Sequence, residues 1–408
     1  MPLQNTTTSF GTVTRSLHWL TALLILTAIP MGVIANDMAY DTSAALAQKA
    51  QLFSLHKTIG IAAFIVAALR ILWAFTQTHP APMHPERRLE TTLAGAIHWL
   101  LYISMLAVPL SGWVHHAATA GFAPILWSFG QDLPLVPKSE SLAALAASLH
   151  WVFTKLLIAS ILLHIAGALK HHLIDKDATL RRMMSGTPAP AKPATAKSHA
   201  RPLVAALVVY ALGAGVAVSL TQPETTPVQT VEATQTAPTT GNWQVQTGTL
   251  ALTVRQLGSD VTGQFATWQA AITFDENAPE DAKGSVTVTI DTTSLTLGSI
   301  SDQAKGPDFL NTTTHSTATF TANITGPITG AITGTGPDYT ATGTLSLAGA
   351  ELPLTLPFTL QINGDTATMQ GQTTLDRRDF AIGPKYPDEA TVGFATQITV
   401  DLTATRSN

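Results

Sequence analysis

"LHWVFTKLLIASILLHIAGALKHH", residues 149–172, is apolar enough to cross a bilayer yet carries an imidazole near each end, at His150 and His164. Polar side chains at membrane depth are costly, so each is a functional hypothesis from the outset. A spacing of 14 residues on an α-helix is about 21 Å along the axis and within about 40° of one face. One helix of this sequence therefore offers a ligand to each of two stacked sites.

The rest of the chain supports a membrane reading. Of 408 residues, 46% are hydrophobic and 12% charged, which disfavours a purely soluble protein. Runs near 17–36, 59–76, 93–115 and 145–169 are almost free of charge and long enough to cross a hydrocarbon core of about 30 Å. A fifth run, 203–220, is rich in Gly, Ala and Val, has Tyr210 as its one ionisable group, and reads as a plain anchor. The first run follows a polar segment and lacks a small-residue cleavage site close behind it, so it reads as a span. With the N-terminus inside, the inner segments carry Arg15, Arg87, Arg88, Lys170, Lys176, Arg181, Arg182, Lys192, Lys197 and Arg201, and the outer ones Lys49, Lys57 and Lys138. Ten against three predicts a cytoplasmic N-terminus.

The spans hold further histidines. His18 lies about one turn into the first span, which starts inside, and His56 opens the second, which starts outside. Depth thus sorts an inner pair, His18 with His164, from an outer pair, His56 with His150. Two facing imidazoles in a helical bundle are what a six-coordinate b-type haem requires. Zinc or copper would want a third or fourth ligand, and the spans have no Asp, Glu or Cys to supply one. The chain has no cysteine at all, which excludes disulfides, iron–sulfur clusters and covalently attached haem. His98 also sits at inner depth, as a third ligand candidate or part of a quinone site. His115, His116, His171 and His172 read as interfacial. Arg70 and Lys155 are expensive near hydrocarbon unless they snorkel or pair, and a haem propionate would suit either; Lys155 alternatively draws an anionic substrate or a quinone oxygen to the outer site.

The order "SLHW", "LHKTIG", "IHWLLYISMLAVPLSG", then "LHW" followed by "LLHIAGALKHH" and "DKDATLRRMM", across residues 10–185, resembles the bacterial cytochrome b561 family. The resemblance implies a four-helix membrane domain with two b haems, held by His18 with His164 and by His56 with His150, and favours His98 as a non-ligand. It further implies electron exchange with ubiquinone, with superoxide oxidation among the family's activities.

Residues 186–241 comprise a basic linker, the fifth span and a Thr/Pro/Gln-rich stretch at 221–241 that cannot bury a core and is expected to be extended. From 242 to 408 the pattern changes to period two, as in "GSVTVTIDTTSL" and "LPLTLPFTLQI". About eight short antiparallel strands, in a sandwich or closed barrel, are predicted. Up to residue 241 there are 15 Lys+Arg against 10 Asp+Glu, and beyond it 7 against 16, so the halves carry +5 and −9. The acidic half has no nucleic-acid footprint.

"GSVTVTIDTTSLTLGSISDQAKGPDFLNTTTHSTATFTA" resembles the YceI-like family. That implies an extended lipocalin-like barrel, usually periplasmic, around an isoprenoid or quinone-type chain. "SISDQAKGP" departs from the charged residues usual before "DFLN". Phe265, Trp268, Phe274, Phe309, Phe320, Leu345, Leu347 and Phe358 are pocket candidates, each also an ordinary core residue. His315 has no nucleophile or carboxylate partner with interpretable spacing, and "DRRDFAIG" (376–383) suggests a local ion pair, so no catalysis is assigned to the barrel.

The expectation is a membrane α-helical bundle, a four-helix di-haem core plus a fifth helix, followed by an all-β antiparallel lipocalin-like barrel. It would sit in the inner membrane of a bacterium with the barrel periplasmic, as an oxidoreductase exchanging electrons between ubiquinone and a small periplasmic donor or acceptor. The linker gives a coil reach of roughly 25 Å and would raise the local concentration of a carried quinone. The rivals are an anchored isoprenoid carrier without redox activity, and a cytochrome subunit of a separate dehydrogenase or hydrogenase.

Overall fold

The computed structural model describes residues 2–119, 121, 123–188, 200–221, 241–298, 300–328 and 338–407. Most of the Thr/Pro-rich stretch and of the basic linker lies outside them. The chain divides into a helical unit and a barrel.

Among the described residues, five helices are long and apolar enough to cross a membrane. They are α1 (Thr12–Asp37), α2 (Ser43–Phe75), α3 (Arg88–Ala118), α4 (Glu140–Leu173) and α6 (Ala200–Leu220), with a short α5 (Thr179–Met184) after α4. The helices overrun the apolar runs at their ends, most in α2, which starts at Ser43 because "SAALAQKAQ" is rich in strong helix formers. His56 therefore lies well inside α2 and does not open it. Ser139 caps α4 by accepting from the Leu142 N–H at 3.3 Å, which satisfies one of the four orphan donors of that end.

Helices α3 and α4 pack closely together, and α6 lies against both. The fifth span is thus a member of the bundle and more than an anchor. Its Tyr210 is 7% exposed, bonds Ser104 of α3 through the hydroxyl and meets Phe153 of α4 edge-on, with ring centroids 5.0 Å apart. Small residues permit this approach: a Cβ on Gly213 would lie 3.0 Å from Leu156 Cδ1.

The barrel comprises β1 (Trp243–Gln256), β2 (Ser259–Phe265), β3 (Trp268–Phe274), β4 (Gly284–Asp291), β5 (Leu295–Thr296), a short helix α7 (Ser301–Lys305), β6 (Thr317–Ile328), β7 (Asp338–Leu347), β8 (Ala350–Asn363), β9 (Thr366–Asp376) and β10 (Val392–Arg406). Eight antiparallel strands close through the β10–β1 pairing, while β2 and β5 extend from β1. Closure removes the edges that would otherwise template aggregation. The two-residue turns Leu257–Gly258 and Ala348–Gly349 have positive φ at both positions, 49° and 82° in the first and 51° and 84° in the second. That is the type I′ geometry whose twist matches the flanking strands.

Alternation sends every second side chain inward. On β8 the inner series is Leu354, Leu356, Phe358, Leu360 and Ile362, and on β1 it is Leu250, Leu252, Val254 and Gln256. These surround an apolar cavity of about 270 Å³.

Candidate functional site

The helices bring the four bundle histidines together in two pairs. His18 of α1 faces His164 of α4, and His56 of α2 faces His150 of α4, each with ring centroids 6.2 Å apart. An imidazole nitrogen binds a metal at about 2 Å, which puts the ring centre roughly 3 Å from the ion, so two rings on opposite sides lie about 6 Å apart. Both pairs have that spacing. His98 lies 5.2 Å from His164, short of that spacing, and its Nδ1 bonds the Ala94 carbonyl of its own helix at 2.7 Å.

The second pair is held by one device used twice. His56 Nδ1 bonds the Ala28 carbonyl of α1 at 2.8 Å, and a Cβ on Gly32, one turn on, would lie 2.7 Å from His56 Cε1. His150 Nδ1 bonds the Val108 carbonyl of α3 at 2.9 Å, and a Cβ on Gly112, again one turn on, would lie 2.9 Å from His150 Cε1. A carbonyl accepts, so Nδ1 carries the proton and Nε2 keeps its lone pair for a metal. The glycines make the room each ring needs. "AIPMG" (28–32) and "VPLSG" (108–112) are the sequence signals of these cradles, which reading the histidines alone missed.

At the other level Arg70 of α2 donates from Nη2 to His18 Nδ1 at 3.1 Å and lies 5.7 Å from the Tyr102 ring centre; this bond leaves the His18 proton on Nε2, so His18 would ligate through Nε2 only once Arg70 turns to another acceptor. Lys155 is exposed, with Nζ 5.2 Å from the Trp151 ring. Five positions turn an α-helix through about 140°, so Lys155 points away from His150. The cation nearest that level is Lys57, whose Nζ donates to Ala123 O at 2.7 Å and lies 3.2 Å from His116 Nδ1. His116 is 7% exposed and meets Gln131 Oε1 at 3.2 Å; His115 bonds the Ala143 carbonyl at 2.9 Å. These two, read as interfacial, are built into the protein beside Lys57. His172 is exposed, while His171 turns inward to Asp177 at 2.7 Å.

In the barrel, all eight pocket candidates lie on the cavity wall. The wall's polar groups gather toward one end: Gln256, Gln303, Thr373, Thr396 and Arg377. Gln256 is 2% exposed, and its Oε1 has no hydrogen-bond partner. The "DRRD" turn does hold an ion pair, Arg378 to Asp376 at 2.6 Å, which keeps the Asp376 carboxyl below the usual carboxylate range. Arg377 instead turns inward.

Residues 9–186 match the family model described as prokaryotic cytochrome b561, and residues 234–404 match that of the YceI-like domain. "Cytochrome b561 homolog 2" of Escherichia coli K12 is 31% identical over 45% of this chain and 95% of its own length. The chain belongs to the cytochrome b561 family through its helical half and to the YceI-like family through its barrel. The "Probable superoxide oxidase CybB" of Yersinia pestis is 27% identical over 41% of this chain and 91% of its own. Among solved structures, Burkholderia cenocepacia BcnA is 31% identical, covers 39% of this chain and 96% of its own, and superposes with a TM-score of 0.34. Membership of the b561 family implies b-type haem, which the paired imidazoles of this cytochrome fit.

Proposed function

We propose that the helical half is a di-haem cytochrome that passes electrons between ubiquinone and a small one-electron partner, superoxide first among them, and that the barrel holds an isoprenoid or a quinone. The observation that carries this is the matched spacing of the two imidazole pairs, 6.2 Å in each, on one shared helix. His18 with His164, and His56 with His150, would hold the two haems, which supply reversible one-electron transfer when bound.

The chain's own residues do the remaining work. The Ala28 and Val108 carbonyls keep His56 and His150 in the tautomer that leaves Nε2 free. Arg70 places a fixed positive charge beside His18, where a haem propionate would be neutralised. Lys57, beside His116, makes the His56–His150 level attractive to an anion such as superoxide. His98, left out of both pairs, is placed to meet a quinone oxygen near His164. The Lys and Arg distribution favours the His18–His164 level on the cytoplasmic side of the membrane and the barrel on the other, which in a bacterial inner membrane would be the periplasm. In the barrel, apolar walls suit an isoprenoid tail, and Gln256 Oε1 offers its polar end a hydrogen-bond acceptor.

The test is quinone reduction driven by superoxide in purified full-length protein. Rapid haem reduction by superoxide, followed by quinol formation, is expected. Inertness to superoxide, with electron uptake only from a copurifying protein, would favour the subunit reading instead. The cradles give a second check. Gly112→Ala is expected to displace the His150 ring and lower haem occupancy or shift the α-band at that level. Gly167→Ala, with nothing within 4 Å of its added Cβ, should leave the spectrum unchanged.

A further inference from the structure

Outside both sites, His84, His171, Asp175 and Asp177 converge, each offering one donor atom, with all four atoms within 4.8 Å of one another. They come from separate segments: the α2–α3 connection, the last turn of α4 and the α4–α5 turn. His84 Nε2 lies 3.2 Å from Asp177 Oδ2. His171 Nδ1 lies 2.7 Å from the same oxygen and 3.4 Å from Asp175 Oδ2. Four ligands at about 2.0–2.2 Å around a tetrahedral ion have mutual separations of roughly 3.4 Å. We propose that these four side chains bind a divalent transition-metal ion of the zinc class, as a closed structural site on the helical unit.

Three features favour an ion over a bare ion-pair network. First, both imidazoles have a carboxylate on the nitrogen that faces away from the cluster: Glu86 Oε1 is 3.3 Å from His84 Nδ1, and Glu90 Oε1 is 3.4 Å from His171 Nε2. This is the carboxylate–histidine–metal arrangement that fixes the tautomer and raises ligand basicity. Second, with Nδ1–H directed to Glu86, the Nε2 lone pair of a neutral His84 meets a carboxylate oxygen, a repulsion that an intervening cation removes. His84 Nε2 is buried without a hydrogen-bond partner. Third, Asp177 is held in one orientation: its Oδ1 accepts from the Thr179 N–H, two residues on, at 2.8 Å, while Oδ2 lies in the cluster.

The competing cations have other partners. Lys170 lies 2.9 Å from Asp175 Oδ2 but 2.7 Å from Glu90 Oε1, so an ion on Oδ2 leaves the ammonium on Glu90. Arg87 holds Asp175 by the other oxygen, Oδ1, at 2.9 Å. The donor set, two imidazoles and two carboxylates with no thiolate, suits zinc and neighbouring first-row ions and gives little selectivity against copper or nickel. Bound there, the ion would tie the α2–α3 connection to the end of α4, two turns beyond His164.

The experiment is zinc titration of chelator-stripped full-length protein, with elemental analysis and haem content measured on the same sample. One zinc per chain beyond the haem iron, with submicromolar affinity, is expected. His84→Ala should abolish it at unchanged haem content. Glu86→Gln, which keeps all four ligands and changes only the partner of His84 Nδ1, should weaken it about 10- to 100-fold. Absence of stoichiometric zinc in the parent, or equal affinity in His84→Ala, would overturn the site and leave an ion-pair network carried by protonated imidazoles.

Discussion

His150→Ala, purified from haem-replete cells, is expected to carry one b haem per chain against two in the parent, and His18→Ala to lose the other one. The expectation follows from how the pairs are built. Each has its own partner helix, α1 for His164 and α2 for His150, and they share α4 alone. Fourteen residues of α-helix separate the levels by about 21 Å, beyond the range at which substitutions usually couple. The pyridine haemochrome spectrum with a protein assay gives the count. The two variants should also differ from each other in the α-band, because one level has carbonyl-anchored histidines and the other has the Arg70 cation nearby. His98→Ala should retain both haems. Two haems in His150→Ala would reject the assignment, and loss of both from every variant would report only an unfolded bundle.

The histidines were legible because imidazole is conspicuous in an apolar run and helical periodicity converts spacing into depth and face. The cradles were harder to read. Gly32 and Gly112 acquire meaning only when another helix crosses them, and the crossing is set by tertiary packing that no local pattern encodes. The same holds for the fifth span, which reads as an anchor until Tyr210 is seen bonding Ser104 across a helix interface. Lys155 shows the opposite error: its proximity in sequence to His150 suggested a shared site, and the helical turn points it elsewhere. In the barrel, period-two alternation predicted strands and inward faces well. It could not distinguish the two arginines of "DRRD", since a bulge or turn reassigns direction residue by residue, nor could it identify Gln256 as the polar end of the inner series on β1.

Arg377→Met is expected to destabilise the barrel severely, whereas Arg378→Met next to it should be close to neutral. Arg377 is 6% exposed, and among the described residues no carboxylate pairs with its guanidinium. Its donors go to backbone carbonyls: Nε to Gly393 at 3.0 Å, Nη1 to Ile382 at 2.8 Å and Gly383 at 3.0 Å, and Nη2 to Val392 at 3.1 Å and to Tyr386. One side chain thus ties the 382–393 segment to the end of β9 and the start of β10, closing the polar end of the cavity. A methionine of similar length fills the volume but strands those carbonyls, and each hydrogen bond to a charged group contributes about 1.5–3 kcal/mol. Such bonds share one side chain and do not add fully, so a loss of roughly 4 kcal/mol is the reasonable expectation, or about a 10 °C fall in the barrel transition. Arg378 is 57% exposed at its side chain, and its pairing with Asp376 is screened by water. Calorimetry of the full chain separates the outcomes: the Arg377→Met barrel transition should fall while the haem-bearing bundle is unchanged, and equal transitions in the two variants would show that the five carbonyl contacts do not hold this end of the barrel.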